Sequence, residues 1–304
     1  MPGVIVVIGE ALIDLLVRPD GSIEATAGGG PFNTARTIAR LGQQVAFAGR
    51  LSTDAFGRRL RDRLVIDGVD LGLIVETADP TTLAVVESGV TGDVRYRFYL
   101  SGTSAPGLGM DAVEAIVRPA ALHIGTLGLV LEPIGSTVEA VVGRMPSETL
   151  VMADLNARPT ATPDRAAWVA RIDRLLGRLD VLKASVDDLR FFRPGEEPID
   201  TATVIGEDGP RVVLVTDGPG PVRIVTADGV QTVEPPRVEV VDSVGAGDAF
   251  GGGFLAAWIG AGRGRADLAN RFAIIDATSF AVRVASITCT RRGADPPTAS
   301  ELSA

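Results

Sequence analysis

Val241-Asp242-Ser243-Val244-Gly245-Ala246-Gly247-Asp248-Ala249-Phe250 follows an apolar, strand-like run and precedes a helical stripe of Phe250, Phe254, Ala257 and Ala261. Its glycines therefore fall at a helix N-terminus, where unpaired backbone N–H groups make an anion site. Asp248 lies off the apolar stripe, so it faces that site instead of the core. A phosphoryl group on those amides with a carboxylate beside it is the arrangement that hydroxyl phosphorylation needs. The carboxylate takes the alcohol proton while the helix terminus stabilises developing charge. The same residues also suit a structural role, with Asp248 complementing the helix dipole and the glycines making a tight turn.

Outward from this turn, apolar β-branched runs recur at Val4 to Ile8, Val45 to Ala48, Ala120 to Ile124, Leu150 to Ala153, Val181 to Leu182 and Val212 to Val215. Helix-period stretches such as Ala55 to Val65, Pro163 to Leu176 and Ala266 to Val284 lie between them. This alternation predicts a doubly wound α/β fold with a buried, mainly parallel sheet. Residues 1–304 read as a single domain. Two segments, roughly 11–27 and 81–101, break the rhythm with short strands and the turns Pro19-Asp20-Gly21 and Thr91-Gly92-Asp93; they predict a small β lid. Val222 to Thr226 and Val230 to Val233, joined at 227–229, predict a hairpin.

Composition removes several functions. A net charge of -9 does not suit nucleic acid, whose phosphates are met by clustered Lys and Arg. Lys183 is the only lysine and follows no glycine run, so there is no Walker A loop. A lone His123 and a lone Cys289 cannot build a tetrahedral N/S zinc site, which leaves oxygen as the ligand for any metal. With one cysteine, no evident signal peptide and no long uninterrupted apolar span, a cytoplasmic location without membrane attachment is the expectation.

Near the N-terminus, Gly28-Gly29-Gly30-Pro31-Phe32-Asn33-Thr34-Ala35 precedes a short helix. Its glycines let a ligand approach the backbone, and Asn33 offers a donor and an acceptor to a hydroxyl-rich substrate, or else caps the helix. Asp14, inside an apolar run, needs a partner, which sugar hydroxyls or water at an edge strand would supply. Three further turns follow strands and so fall at the carboxyl edge of the sheet: 154–159 with Arg158, 183–188 with Asp188, and 216–218. Arg158 suits a phosphate and Asp188 a water-mediated magnesium contact, although each turn taken alone is also an ordinary loop.

Taken in order, the 28–35 and 242–250 segments resemble the two signatures of the PfkB, or ribokinase-like, carbohydrate kinases, and the resemblance runs over essentially the whole chain. It implies ATP-dependent phosphorylation of a sugar hydroxyl with magnesium and, in many members, potassium. Gly245, Ala246 and Gly247 would form the anion hole and Asp248 the base. Asp14, Gly29, Gly30, Asn33, Phe98 and Arg158 would contact the sugar. Lys183, Ser185, Thr216 and Gly218, with Gly245 and Gly247, would contact the nucleotide, and Asp242 the monovalent cation. Asp188 is similar in place to the acid of the family's Asn-x-x-Glu motif, but Ser185 stands where Asn is common. Val282 likewise stands where ribokinases carry an Asn. Glu10 to Leu15 and Tyr96 to Ala105 look most like fructokinase-type members, and Leu100 stands where 2-keto-3-deoxygluconate kinases often carry an Arg. A 2-keto-3-deoxygluconate or nucleoside kinase, or a non-catalytic sugar- or nucleotide-binding regulator, are the other readings. The lid is also the expected surface for a homodimer.

Overall fold

Val6 and Ile8 of the first strand pack into one hydrophobic core and Ile5 and Val7 into another, because successive side chains of a strand point to opposite faces. A run buried on both faces requires helices on both sides of its sheet. The computed structural model describes residues 3–88 and 94–303, and it supplies those helices.

Thirteen strands occur among the described residues: β1 (Ile5–Ile8), β2 (Leu12–Val17), β3 (Ile23–Gly28), β4 (Val45–Ser52), β5 (Ile74–Thr77), β6 (Leu83–Ser88), β7 (Val94–Tyr99), β8 (Ala121–Gly125), β9 (Leu150–Asp154), β10 (Val181–Ser185), β11 (Val212–Thr216), β12 (Val222–Thr226) and β13 (Gly229–Val233). The helices are α1 (Gly30–Arg40), α2 (Ala55–Asp67), α3 (Ile134–Arg144), α4 (Arg165–Leu176), α5 (Val186–Phe192), α6 (Pro198–Asp208), α7 (Ala246–Gly260), α8 (Arg271–Cys289) and α9 (Ala299–Ser303). The main sheet has the order β13-β12-β11-β10-β9-β8-β1-β4-β5. It is parallel from β11 through to β5, and β12 and β13 extend it antiparallel. Side chains of α3 to α6 pack into the core on one face, and those of α1, α2, α7 and α8 into the core on the other. The α/β fold with a mainly parallel sheet is as the sequence predicts.

A separate four-stranded sheet, ordered β3-β2-β6-β7, is built from the segments that broke the βα rhythm. Its β2–β3 turn closes through the Arg18 and Ser22 backbones, with Gly21 at φ 83°, a left-handed conformation suited to glycine. The turn expected at 91–93 lies outside the described residues. In the 222–233 hairpin Thr226 pairs with Gly229, so the turn itself is only Ala227 and Asp228.

Two helix starts differ from the periodicity. Asp164 accepts the Ala167 N–H at 2.9 Å and Asn270 accepts those of Phe272 and Ala273, so α4 and α8 begin one residue after these caps. The stripe expected on α7 is also too narrow, since Asp248 to Ala256 and Trp258 are all buried. Its glycines explain this. A Cβ on Gly252 would lie 2.7 Å from the Thr37 Cβ of α1, and one on Gly253 3.1 Å from the Ala281 Cα of α8, so three helices pack closely at α7. By length and composition α8 is apolar enough to cross a membrane, yet half of that window is buried inside the fold.

Candidate active site

The carboxyl ends of β1, β8 and β9 deliver Glu10, Thr126 and Asn156 to one cleft of about 640 Å³. The second sheet contributes Asp14 and Phe98, α1 contributes Gly30 and Asn33, and the start of α7 contributes Gly245, Gly247 and Asp248. Residues far apart in the chain thus meet at the edge of the sheet where open α/β folds bind ligands.

Asp248 is the most constrained of these. It sits in the first turn of α7 and is buried. Its Oδ2 accepts the Asn33 Nδ2 at 2.9 Å, and its Oδ1 lies 3.4 Å from the Asn156 Nδ2. Burial raises the Asp248 pKa above the ordinary carboxylate value, while the Asn33 hydrogen bond, Lys183 and Arg158 oppose the rise. Asn33 does not cap α1. The cap position is Gly29, at φ 107°, and the Asn33 N–H donates to the Gly29 carbonyl from inside the helix. The Asn33 side chain is therefore available to Asp248.

Gly245 caps α7 in the left-handed region, φ 76°, and a Cβ there would lie 2.4 Å from the Ala294 Cβ, so the position admits glycine alone. Among the described residues no acceptor meets the Gly245 or Gly247 N–H, whereas the Ala246 N–H donates to the Ser243 carbonyl at 3.2 Å. Two unpaired amides at a helix N-terminus beside a buried carboxylate can hold an anion next to a base.

Two further carboxyls share the cleft. Burial, helped by Asp248, raises the Asp14 pKa to about 6, against the pull of Arg158. Glu10 goes up to about 8, chiefly through burial. Glu10 accepts from the Gly30 N–H at 3.2 Å and the Gly128 N–H at 3.3 Å, tying the start of α1 to the turn after β8. A Cβ on Gly30 would lie 2.4 Å from the Thr126 Oγ1 and 3.2 Å from the Asp248 Oδ1, so the missing side chain leaves the approach to Asp248 open. Arg158 lines the cleft and donates only to backbone carbonyls, with no carboxylate partner among the described residues.

The remaining candidates are spread wider. Lys183 does not line this cleft. Buried on β10, it donates to both Asp154 oxygens at 3.0 and 2.8 Å, and a Cβ on Gly247 would lie 2.9 Å from its Nζ. Burial alone would lower the Lys183 ammonium, but Asp154 and Asp188 hold it above its ordinary value. Ser185 caps α5 in a reciprocal box with Asp188, whose two oxygens accept the Ser185 N–H and the Ala157 N–H, both at 2.7 Å. Asp188 thereby braces the turn that carries Asn156 and Arg158. Thr216 ends β11 and Gly218 follows at φ 50°, both outside the cleft lining. Asp242 lines it and accepts the Val244 and Gly293 N–H groups at 3.0 and 2.8 Å, joining the 241–245 segment to the loop after α8. Val282 is buried in α8, and Leu100, like Phe98, packs against the small cluster of Leu12, Ala84, Leu127 and Ala161. No group of three or more His, Cys, Asp or Glu side chains among the described residues is arranged to hold a metal ion.

Glu10, Thr126 and Asn156 are the site residues that sequence reasoning missed. Each directly follows a strand or stands two residues past it, and that position was the available signal. Thr126 and Asn156 also take positive φ, 53° and 36°, and Asn is among the residues enriched there.

The model of the family described as pfkB family carbohydrate kinase matches residues 4–301. A fructokinase of Rhizobium leguminosarum bv. trifolii is 35% identical over 260 residues, 82% of this chain and 77% of that protein. The crystal structure of a fructokinase from Xylella fastidiosa with bound ATP is similar at TM-score 0.91 and 29% identity, covering 99% of this chain and 97% of that one. A fructokinase double mutant from Vibrio cholerae O395, solved with fructose, ADP and potassium ion, is similar at TM-score 0.85 and 26% identity, covering 96% and 94%.

Proposed function

This chain belongs to the pfkB family of carbohydrate kinases and is a sugar kinase, a phosphotransferase with an alcohol acceptor; we propose that its acceptor is fructose, its phosphoryl donor ATP and its general base Asp248. The observation that carries this reading is the Asp248 carboxylate, buried at the start of α7 within reach of Asn33 and Asn156 and beside the unpaired Gly245 and Gly247 amides.

The acceptor hydroxyl enters past Gly30 and meets Asp248. Burial raises the Asp248 pKa, which makes its carboxylate a stronger base than one in water, and the Asn33 donor favours the ionised form that accepts the proton. As the hydroxyl oxygen bonds to the γ-phosphorus, the bond from that phosphorus to the bridging oxygen breaks, ADP leaves, and the hydroxyl proton passes to Asp248. The Gly245 and Gly247 amides receive the charge that develops on the phosphoryl oxygens, and Arg158, which hydrogen-bonds to no carboxylate among the described residues, contributes a cation. Asp14, on β2, grips the sugar hydroxyls. The β3-β2-β6-β7 sheet acts as a lid whose closure excludes water, which suppresses hydrolysis of ATP.

A divalent ion, when bound, supplies neutralisation of the nucleotide phosphates. The donor set suits an ion held mainly by those phosphates and by water, with Asp188 reached through water, since no group of three or more His, Cys, Asp or Glu side chains among the described residues is arranged to hold a metal ion. Asp242 is the residue we assign to a monovalent cation, in keeping with the potassium of the Vibrio cholerae structure. The same proposal includes a homodimer through the lid, where Ile23 and Tyr99 expose apolar surface.

The test is ADP release with ATP, magnesium and potassium across fructose, ribose, 2-keto-3-deoxygluconate and adenosine. The highest kcat/KM is expected on fructose; a higher value on the acid or the nucleoside would reassign the acceptor.

A further inference from the structure

Arg36 is buried on α1, one turn beyond Asn33 and on the same face. Its Nε donates to the Asp67 Oδ2 at 2.6 Å, and its Nη1 donates to the Ala294 carbonyl at 2.9 Å. The same Nη1 lies 3.5 Å from the Asn33 Oδ1, a long contact that is strengthened by the full charge on the guanidinium. Two active-site elements therefore meet at one cation: the amide that donates to Asp248, and the loop whose Ala294 methyl abuts Gly245.

We propose that Arg36 is a positioning residue, which fixes the Asn33 amide with its donor end toward Asp248 and holds the Ala294 loop behind the anion hole. An amide has one acceptor end and one donor end. With a cation at Oδ1, only the Nδ2 end is left for the Asp248 carboxylate. Without the cation the amide is free to turn over, and the reversed rotamer sets Oδ1 against the Asp248 Oδ2, two acceptors in contact. Planar, forked geometry matters here as well as charge, because one side chain must reach Asp67, Asn33 and Ala294 at once. The inference rests on Asp248 being the base.

Asp248 is also faced by Asn156 after β9, by Lys183 of β10, by Arg158, and by the carboxyls of Glu10, Asp14 and Asp154. None of these hydrogen-bonds to Arg36, so replacing Arg36 changes the Asn33 contribution selectively. Asp67 stays paired in such a variant, since Arg40 and Arg63 also reach it at 3.2 Å each.

The experiment is the pH profile of kcat/KM for wild type, Arg36→Met, Arg36→Lys, Asn33→Ala and the Arg36→Met/Asn33→Ala double variant, with Asp248→Asn alongside. Arg36→Met is expected to lower kcat/KM by about ten- to a hundredfold, the scale set by small misplacement of reacting groups. Its acid limb should move to higher pH, because Asp248 loses a donor that favours the ionised form. Arg36→Lys keeps a cation by Asp67 and guards against simple misfolding, and the same limb shift is expected. On the Asn33→Ala background the Arg36 change should add far less than it does alone. An unmoved acid limb in both Arg36 variants, or full additivity, would overturn the inference while an inactive Asp248→Asn left the base assignment standing. An active Asp248→Asn would instead remove the base assignment itself.

Discussion

Lys183 and Asp154 form a buried ion pair beside Gly247 at the start of α7, and removing one partner should cost far more than removing both. At an Nζ to Oδ2 separation of 2.8 Å, Coulomb attraction is about 6 kcal/mol at an effective dielectric constant of about 20. Desolvating the two ions costs several kcal/mol each, so the intact pair is close to neutral for stability. Lys183→Met keeps the shape of the stem but strands the Asp154 carboxylate, and a stranded buried charge costs about 3–5 kcal/mol. That is a large part of the ~5–15 kcal/mol that holds a typical domain together. The double variant Lys183→Met/Asp154→Asn has no charge to strand and should recover most of the loss. Urea denaturation of the ligand-free protein reads this as midpoints in the order wild type, double variant, single variant. The single variant has a second signature: Lys183 is one of the groups holding the Asp248 pKa down, so its loss alone should move the acid limb of the rate profile upward, whereas the double variant also removes the opposing Asp154 charge and should shift it less. A single variant as stable as wild type, or a double variant no better than the single, would refute the reasoning.

Gly30→Ala places a methyl 2.4 Å from the Thr126 Oγ1 and at the approach to Asp248. The KM for the sugar should rise by about tenfold or more, worth about 1.4 kcal/mol, with the KM for ATP little changed, as initial-rate kinetics would show. Glu10 makes stability depend on pH in an unusual direction for a carboxyl. Its folded pKa, about 8, lies above its ordinary 4.5, so its contribution is fully present below 4.5 and is lost as pH rises through about 8. The denaturation midpoint of the ligand-free protein should therefore fall between about pH 5 and pH 8, and Glu10→Gln should flatten that fall; parallel curves would count against a buried, proton-retaining Glu10.

The layered architecture was legible because fully apolar runs such as Ile5–Ile8 and Val212 to Val215 leave no solvent face, which forces helices onto both sides of the sheet. Asp248 and its glycines were legible for a related reason: a polar residue just inside an apolar helix start has few places to point. Asn33 was ambiguous from spacing alone. Whether it caps α1 depends on the backbone at Gly29, and Asp248 lies far away in the chain. Lys183 shows the limit most clearly. The resemblance implies a nucleotide contact for Lys183, and the parallel β9–β10 pairing that sets it opposite Asp154 in a buried ion pair is not visible in the local sequence. Glu10 gave no periodic signal, because its role is to accept amides from two distant turns. The tight packing of α7 was likewise hidden, since a glycine run reads as flexibility until Thr37 and Ala281 are seen against it.

The most direct test of the central claim is turnover of Asp248→Asn on fructose with saturating ATP, measured beside fructose binding by calorimetry. Loss of the base should lower kcat by at least about 10²–10⁴-fold, while fructose still binds through Asp14 and the lid. Turnover within a few-fold of wild type would contradict the assignment of Asp248 and, with it, the mechanism built on the start of α7.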